Sequence, residues 1–206
     1  MLTITGKRIL AIAPHIDDVE LGDGGSIYQL GQDNEIWYLG LSLPPKVDKE
    51  PFMKEFDESS AILGLKPERI ILKEYDPRNL FATRAEILQL FYDLNQDIRP
   101  ELVFIPNSKD IHQSHEVVHA EARRAFKFCS LLGYELPWNS FEFSMNAFIR
   151  LSEEAVVAKT RAINAYSTQK KRLFFSNDIL SDLARVRGKQ IAADYAECFE
   201  ITRLLI

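Results

Sequence analysis

The sequence predicts an α/β chain, a Rossmann-like three-layer sandwich on a mostly parallel sheet. Three observations predict it. Short apolar runs alternate with amphipathic helical stretches from Arg8 to about Phe128. Turn residues mark the joins, at Pro14, Pro44, Gly64 and Arg99-Pro100. Right-handed crossovers then make a parallel sheet, covered by helices on both faces, the default topology.

The elements follow in order. Arg8 to Ala13 is a short apolar run ended by Pro14, as in a buried strand. Gly24 to Gln32 reads as a helix, with Ile27 and Leu30 three apart. Glu35 to Ser42 is a second strand, and Phe52 to Leu63 a second helix, closed by Gly64. Arg69 to Tyr75 is a third strand. Thr83 to Ile98 is a third helix, with Ile87, Leu90, Phe91 and Leu94 on one face; Arg99-Pro100 stops it. Glu101 to Pro106 is a fourth strand, and a helix runs from about Ser114 to Phe128. The alternation from Phe141 to Leu151 reads as a strand, and Ala155 to Tyr166 and Ile179 to Phe199 as helices. No internal repeat or linker divides the chain, so residues 1–206 are expected to form one domain.

Composition narrows the function. A formal net charge of -5 argues against a large nucleic-acid footprint. No apolar run approaches the roughly 18 residues that a membrane span needs. Lys7 and Arg8 before the apolar stretch imitate a signal peptide, but His15, Asp17 and Asp18 cut that stretch short. Cys129 and Cys198 make no disulfide framework and suit core packing in a reducing cytoplasm.

Two polar clusters stand out. One is Pro14-His15-Ile16-Asp17-Asp18-Val19-Glu20-Leu21-Gly22; the other is Asp110-Ile111-His112-Gln113-Ser114-His115. Each directly follows a predicted strand, at the sheet edge where open parallel sheets bind ligands. His15, Asp18 and His115 would make a two-imidazole, one-carboxylate metal site with a position left for water. Zinc there would bring the pKa of water down to about 7. Asp17 would accept the water's proton; His112 would stabilise the oxyanion or protonate the leaving amine. The chemistry so described is amide hydrolysis. Against this stand simpler roles: Asp17, Asp18 or Asp23 as helix caps, and the histidines as structural side chains.

Other motifs compete. Gly22-Asp23-Gly24-Gly25-Ser26-Ile27 follows a strand like a dinucleotide loop, but Ile27 holds the place of the third glycine. These glycines are read instead as allowing backbone to approach substrate. His115-Glu116-Val117-Val118-His119 fits the H-E-x-x-H zinc-protease pattern, with Glu116 as base, though it leaves the first cluster unexplained.

The two clusters together resemble the LmbE-like, PIG-L family of N-deacetylases. PHIDDVELGDGGSI resembles its [AP]-H-P-D-D-x-E-L-G-x-G-G signature, and DIHQSH its D-x-H-x-D-H signature. GLKPERIIL, RPELVFIPN, YELPWNS, KTRAINAYSTQ and RGKQIAADYAECFE extend the likeness over nearly the whole chain. The resemblance implies a Rossmann-like fold and removal of N-acetyl groups from N-acetylglucosaminyl conjugates with zinc or another divalent ion such as Fe2+. It implies His15, Asp18 and His115 as ligands, Asp17 as general base and His112 as electrostatic partner or acid.

The chain departs from the family pattern at several positions. Ile16 replaces a proline, and Asp23 a frequent cysteine, adding charge near the site. Ser114 replaces an aspartate that orients the His112 equivalent, so a hydroxyl is expected to hold His112 less firmly, with Asp110 compensating. Lys54 is the substitute for a substrate-contacting arginine. Trp138 and Asn139 offer a stacking face and a polar contact for a sugar. Lys170, Lys171 and Arg172 read as a solvated face or, alternatively, a phosphate contact. The expected substrate is a small N-acetylated amino sugar, free, nucleotide-linked or conjugated, of the kind found in surface-polysaccharide pathways. A non-catalytic zinc-binding relative and the zinc protease are the alternatives, and self-association is open.

Overall fold

The computed structural model describes residues 4–44, 46–170, 172 and 177–205. Among these, seven strands build one sheet: β1 (Arg8–His15), β2 (Glu35–Ser42), β3 (Ile70–Leu72), β4 (Leu102–Pro106), β5 (Ser130–Tyr134), β6 (Ala147–Leu151) and β7 (Tyr195–Arg203). Six helices accompany them: α1 (Asp18–Leu30), α2 (Lys49–Ile62), α3 (Arg84–Ile98), α4 (Gln113–Ala125), α5 (Glu153–Ala165) and α6 (Asn177–Gln190). The strand order is β3-β2-β1-β4-β5-β7-β6. The first five strands are parallel; β7 runs antiparallel between β5 and β6.

β1 shows why the sheet is covered on both faces. Its side chains alternate direction, yet nearly all are buried. Ile9, Ala11 and Ala13 join Val19 and Ile27 of α1, Phe52 and Phe56 of α2 and Ile163 of α5. Leu10 and Ile12 join Phe91 and Leu94 of α3 and Val118 and Ala122 of α4. From β1 the chain winds outward through β2 to β3, then returns to place β4 on the other side of β1. The order therefore reverses between β1 and β4, and the crevice beyond their carboxyl ends is the natural ligand position.

Several expectations change. α1 begins at Asp18, not Gly24, and tolerates a non-helical residue at Asp23, with φ −133° and ψ 20°. Gly22 and Gly25 serve packing: a Cβ at Gly22 would lie 2.6 Å from the Tyr134 ring, and one at Gly25 would lie 2.7 Å from Leu151. The Gly25 and Ser26 amides donate to buried Glu197 of β7, at 3.0 and 2.7 Å. The third strand contracts to Ile70–Leu72 behind a 3-10 turn, Pro67–Arg69, and the Phe141 to Leu151 strand to Ala147–Leu151. β5 is an element that the sequence pattern does not predict. The long helix expected over Ile179 to Phe199 divides into α6 and β7. The Gly188 carbonyl accepts the Ile191 and Ala193 amides, and Ala192 takes φ 54°, so the chain reverses. Past this reversal β7 pairs with β5 and β6, a distant partnership that local periodicity does not contain.

Asp23 lies fully buried, and both its carboxylate oxygens lack hydrogen-bond partners among the described residues. Burial, with Glu197 nearby, pushes its carboxyl well above the usual range, while Lys159 opposes them. Glu20 is also fully buried. It ties α1 to β2 and α5 by accepting hydrogen bonds from the Tyr38 and Tyr166 hydroxyls, at 3.2 and 2.8 Å. Burial raises the Glu20 carboxyl to about 7. A carboxyl that keeps its proton longer folded than unfolded costs stability as pH rises from about 4.5 to about 7, and the loss levels off above that. Glu20→Gln, which keeps the side chain's shape and one acceptor oxygen without a titrating group, is expected to remove a pH-dependent loss on the order of 3 kcal/mol. Urea denaturation of the metal-free protein at pH 5 and pH 8 measures it; an equal pH dependence in both proteins contradicts the assignment.

Candidate metal centre

Two loops meet above the β1–β4 crevice. β1 ends at His15, and the Ile16 amide bonds the Ser42 carbonyl at the end of β2, at 2.9 Å. Asp17 and Asp18 then start α1. Beyond Pro106, the other loop returns through Asp110 to His112, the N-cap of α4, and to His115 in its first turn. Adjacent parallel strands thus bring together residues 100 apart in sequence.

Asp18 Oδ2 lies 3.0 Å from His15 Nδ1 and 3.1 Å from His115 Nε2, and the two nitrogens are 3.2 Å apart. All three side chains are buried. Bonds of 2.0–2.1 Å at tetrahedral angles put neighbouring donors about 3.3 Å apart, so this triangle has the dimensions of three zinc ligands. The His115 Nδ1 faces Asp110 Oδ2 at 2.8 Å, the carboxylate–imidazole pairing that leaves Nε2 for a metal. His112 completes the group, its ring centroid 4.7 Å from those of both His15 and His115. His15, His112 and His115 can each direct a ligand atom into one small volume.

The charges ask for a cation there. Burial alone would raise the Asp18 carboxyl, but His115 and His15 outweigh it and hold it well below the usual range. Burial alone would lower His115, but Asp18 and Asp110 push it up to about 10. In the metal-free protein a proton on His115 therefore supplies the positive charge that the acids require. His112 goes the other way, lowered to about 4 by burial and by the neighbouring His115 and His15.

Asp17 occupies the N-cap position of α1, yet its side chain makes no cap hydrogen bond, so it does not fill the capping role open to it. It is buried and has φ 156° and ψ −16°, a conformation rare outside glycine. Burial, then adjacent Asp18, raises its carboxyl well above the usual range; Arg172 opposes them. The Arg172 Nη1 lies 3.5 Å from Asp17 Oδ2.

Ser114 does not hold His112 as expected. Its hydroxyl donates to the Pro77 carbonyl at 2.7 Å, while its backbone amide donates to His112 Nδ1 at 3.3 Å. Asp110 reaches His112 only through the backbone, its Oδ1 accepting the His112 amide at 2.9 Å. Its other oxygen orients His115.

The remaining candidates separate. Asn139 approaches the group: its Nδ2 lies 3.5 Å from Asp110 Oδ2, and its carbonyl accepts the Ile111 amide. Trp138 is half-buried against the core. Lys54 pairs with Glu50 on the exposed face of α2, at 2.9 Å, and among the described residues no contact joins it to the histidines. His119 lies outside the cluster: its Nδ1 bonds the Pro106 carbonyl at 2.8 Å, tying α4 to β4, while Glu116 faces solvent. The H-E-x-x-H pattern therefore brings no second ligand to the site. Of the basic run, Lys170 is exposed, Lys171 lies outside the described residues, and Arg172 reaches Asp17.

No family model matches the chain. In sequence it is similar to the uncharacterised deacetylase YaiS of Escherichia coli (strain K12), with 26% identity over 172 residues, 79% of this chain and 91% of that protein. In structure it is similar to the conserved protein TT1542 of Thermus thermophilus, with a TM-score of 0.80, 24% identity and coverage of 97% and 96% of the two chains. It is also similar to the N,N'-diacetylchitobiose deacetylase of Pyrococcus horikoshii, with a TM-score of 0.77, 21% identity and coverage of 95% and 84%. A 4-carboxy-2-hydroxymuconate hydratase, GalB of Pseudomonas putida KT2440, shares the fold at a TM-score of 0.78 and 17% identity, covering 97% and 98%. The resemblance carried by the two motifs is accompanied by a relative in sequence that is named a deacetylase, and by a shared fold with structures that include a chitobiose deacetylase.

Proposed function

We propose that the chain is a metal-dependent N-deacetylase of the LmbE-like, PIG-L type. It would hydrolyse the acetamide of an amino sugar, free, nucleotide-linked or conjugated. One observation carries the reading: His15, Asp18 and His115 meet in a triangle of metal-ligand size at the sheet's reversal point, with Asp17 and His112 beside them. The deacetylase relative and fold neighbours support it.

His15, Asp18 and His115 would hold zinc, or another divalent ion such as Fe2+. When bound, the ion supplies Lewis acidity toward the acetyl carbonyl and lets a water ionise near neutral pH. Asp17 accepts the proton of the attacking water. Of the two roles considered for His112, its contacts favour stabilisation of the oxyanion. Its Nδ1 accepts the Ser114 amide, so the ring proton sits on Nε2 and the ring stays neutral. A neutral imidazole donates a hydrogen bond to the oxyanion but does not release its last proton to an amine. Asp17 therefore returns the proton it took: the C–N bond breaks, the amine receives that proton and acetate leaves. Asn139, which borders the loop that carries Asp110 and His112, and its half-buried neighbour Trp138 are the proposed sugar contacts. The buried, unpaired Cys129 and Cys198 suit a reducing, cytoplasmic setting.

The hydratase neighbour favours a second reading, in which the same residues add water to a carbon–carbon double bond. Acetate release separates the two. The zinc-loaded protein is expected to free acetate from at least one of a panel of N-acetylglucosamine glycosides and nucleotide sugars. Asp17→Asn is expected to keep the metal and lose roughly 10²- to 10⁴-fold in kcat. No acetate from any substrate, or full activity in Asp17→Asn, overturns the proposal.

A further inference from the structure

Resting on that reading, we propose that Arg172 is a positioning residue for Asp17: it turns the carboxylate off the helix end and holds it toward the reacting water. Two buried carboxylates stand side by side at the start of α1. Asp18 is balanced by the two histidines. Asp17 makes no ion pair with a histidine among the described residues, and by position its carboxylate belongs on the first amides of α1, as an N-cap. It makes no such bond. Among the described residues its ion-pair partner is Arg172, 155 positions away, at 3.5 Å. The unusual backbone angles of Asp17 make its placement costly unless surrounding contacts hold it.

Arg172 is itself anchored. The 3-10 turn Ser167–Gln169 is fastened to α2, where Glu55 accepts bonds from the Ser167 hydroxyl, the Thr168 amide (3.0 Å) and the Thr168 hydroxyl (2.6 Å). Gln169 is buried, and its carbonyl accepts the Arg172 amide at 2.9 Å. The guanidinium therefore approaches Asp17 from a backbone already tied down, with its side chain 31% exposed. A contact with a substrate phosphate, the other role open to this basic run, would act on binding instead of on Asp17.

The test compares the zinc-loaded native protein with Arg172→Ala, Arg172→Lys, Asp17→Asn and the Asp17→Asn/Arg172→Ala double variant. It reads kcat, KM and metal content with an N-acetylglucosamine glycoside, plus crystal structures of native protein and Arg172→Ala. Arg172→Ala is expected to keep the metal and lose roughly 10- to 100-fold in kcat with KM within about twofold, the penalty of a misplaced reacting group. Arg172→Lys should recover part of the loss, and the double variant should be no slower than Asp17→Asn. In the Arg172→Ala crystal, the Asp17 carboxylate should swing to the Val19 or Glu20 amide. An unchanged kcat, a defect confined to KM, a further loss in the double variant, or an unmoved Asp17 overturns the inference. If the native protein frees no acetate, the deacetylase reading fails and the crystal comparison alone decides the positioning role.

Discussion

A single carboxylate oxygen holds the site together. Asp18 Oδ2 accepts the backbone amide of His15 at 2.8 Å while facing the rings of His15 and His115. One atom therefore links the end of β1, the first turn of α1 and the first turn of α4. The arrangement is possible only because β1 and β4 are neighbours, which follows from the reversal in strand order. Buried carboxylates and imidazoles so close together are costly unless charge is balanced among them. A proton on His115, between Asp18 and Asp110, supplies that balance in the metal-free protein, and a divalent cation would supply it in its place.

The same accounting extends down α1. Asp17, Asp18, Glu20 and Asp23 are four acids within seven residues, all buried. Each meets a different environment: an arginine, two histidines, two tyrosine hydroxyls, and, for Asp23, no side-chain hydrogen bond among the described residues. Deeper, Lys159 of α5 bonds Glu197 at 2.6 Å and the Gly22 carbonyl at 3.1 Å, where the close approach of α1 leaves no room for a side chain at Gly22. Differences of environment, more than of residue type, separate the proposed metal ligand Asp18 from the proposed proton carrier Asp17 and the structural Glu20.

Much of this is legible in the chain. Glu35–Ser42 reads as a strand because its apolar run is unbroken and bounded by polar residues, and the structure keeps the same limits. The two clusters are readable because each follows a strand directly, which places it on the sheet edge without knowledge of the full topology. What local pattern misses depends on distant partners. β5 is only five residues, and β7 carries Glu197, Glu200, Thr202 and Arg203 among its apolar residues, so neither declares itself until pairing is known. Ser114 misleads because its backbone, not its side chain, meets His112. Lys54 and Arg172 exchange prospects: the lysine beside a motif position pairs on the surface, while an arginine in a basic run reaches the buried acid.

The central claim is that His15, Asp18 and His115 form one metal site, and that His119 has no part in it. Metal stoichiometry by mass spectrometry after zinc reconstitution at neutral pH tests it most directly, on native protein, Asp18→Ala and His119→Gln. The account predicts one zinc ion per chain in the native protein and in His119→Gln, and none in Asp18→Ala. Zinc retained by Asp18→Ala, zinc lost with His119, or a native protein that takes up none would contradict it.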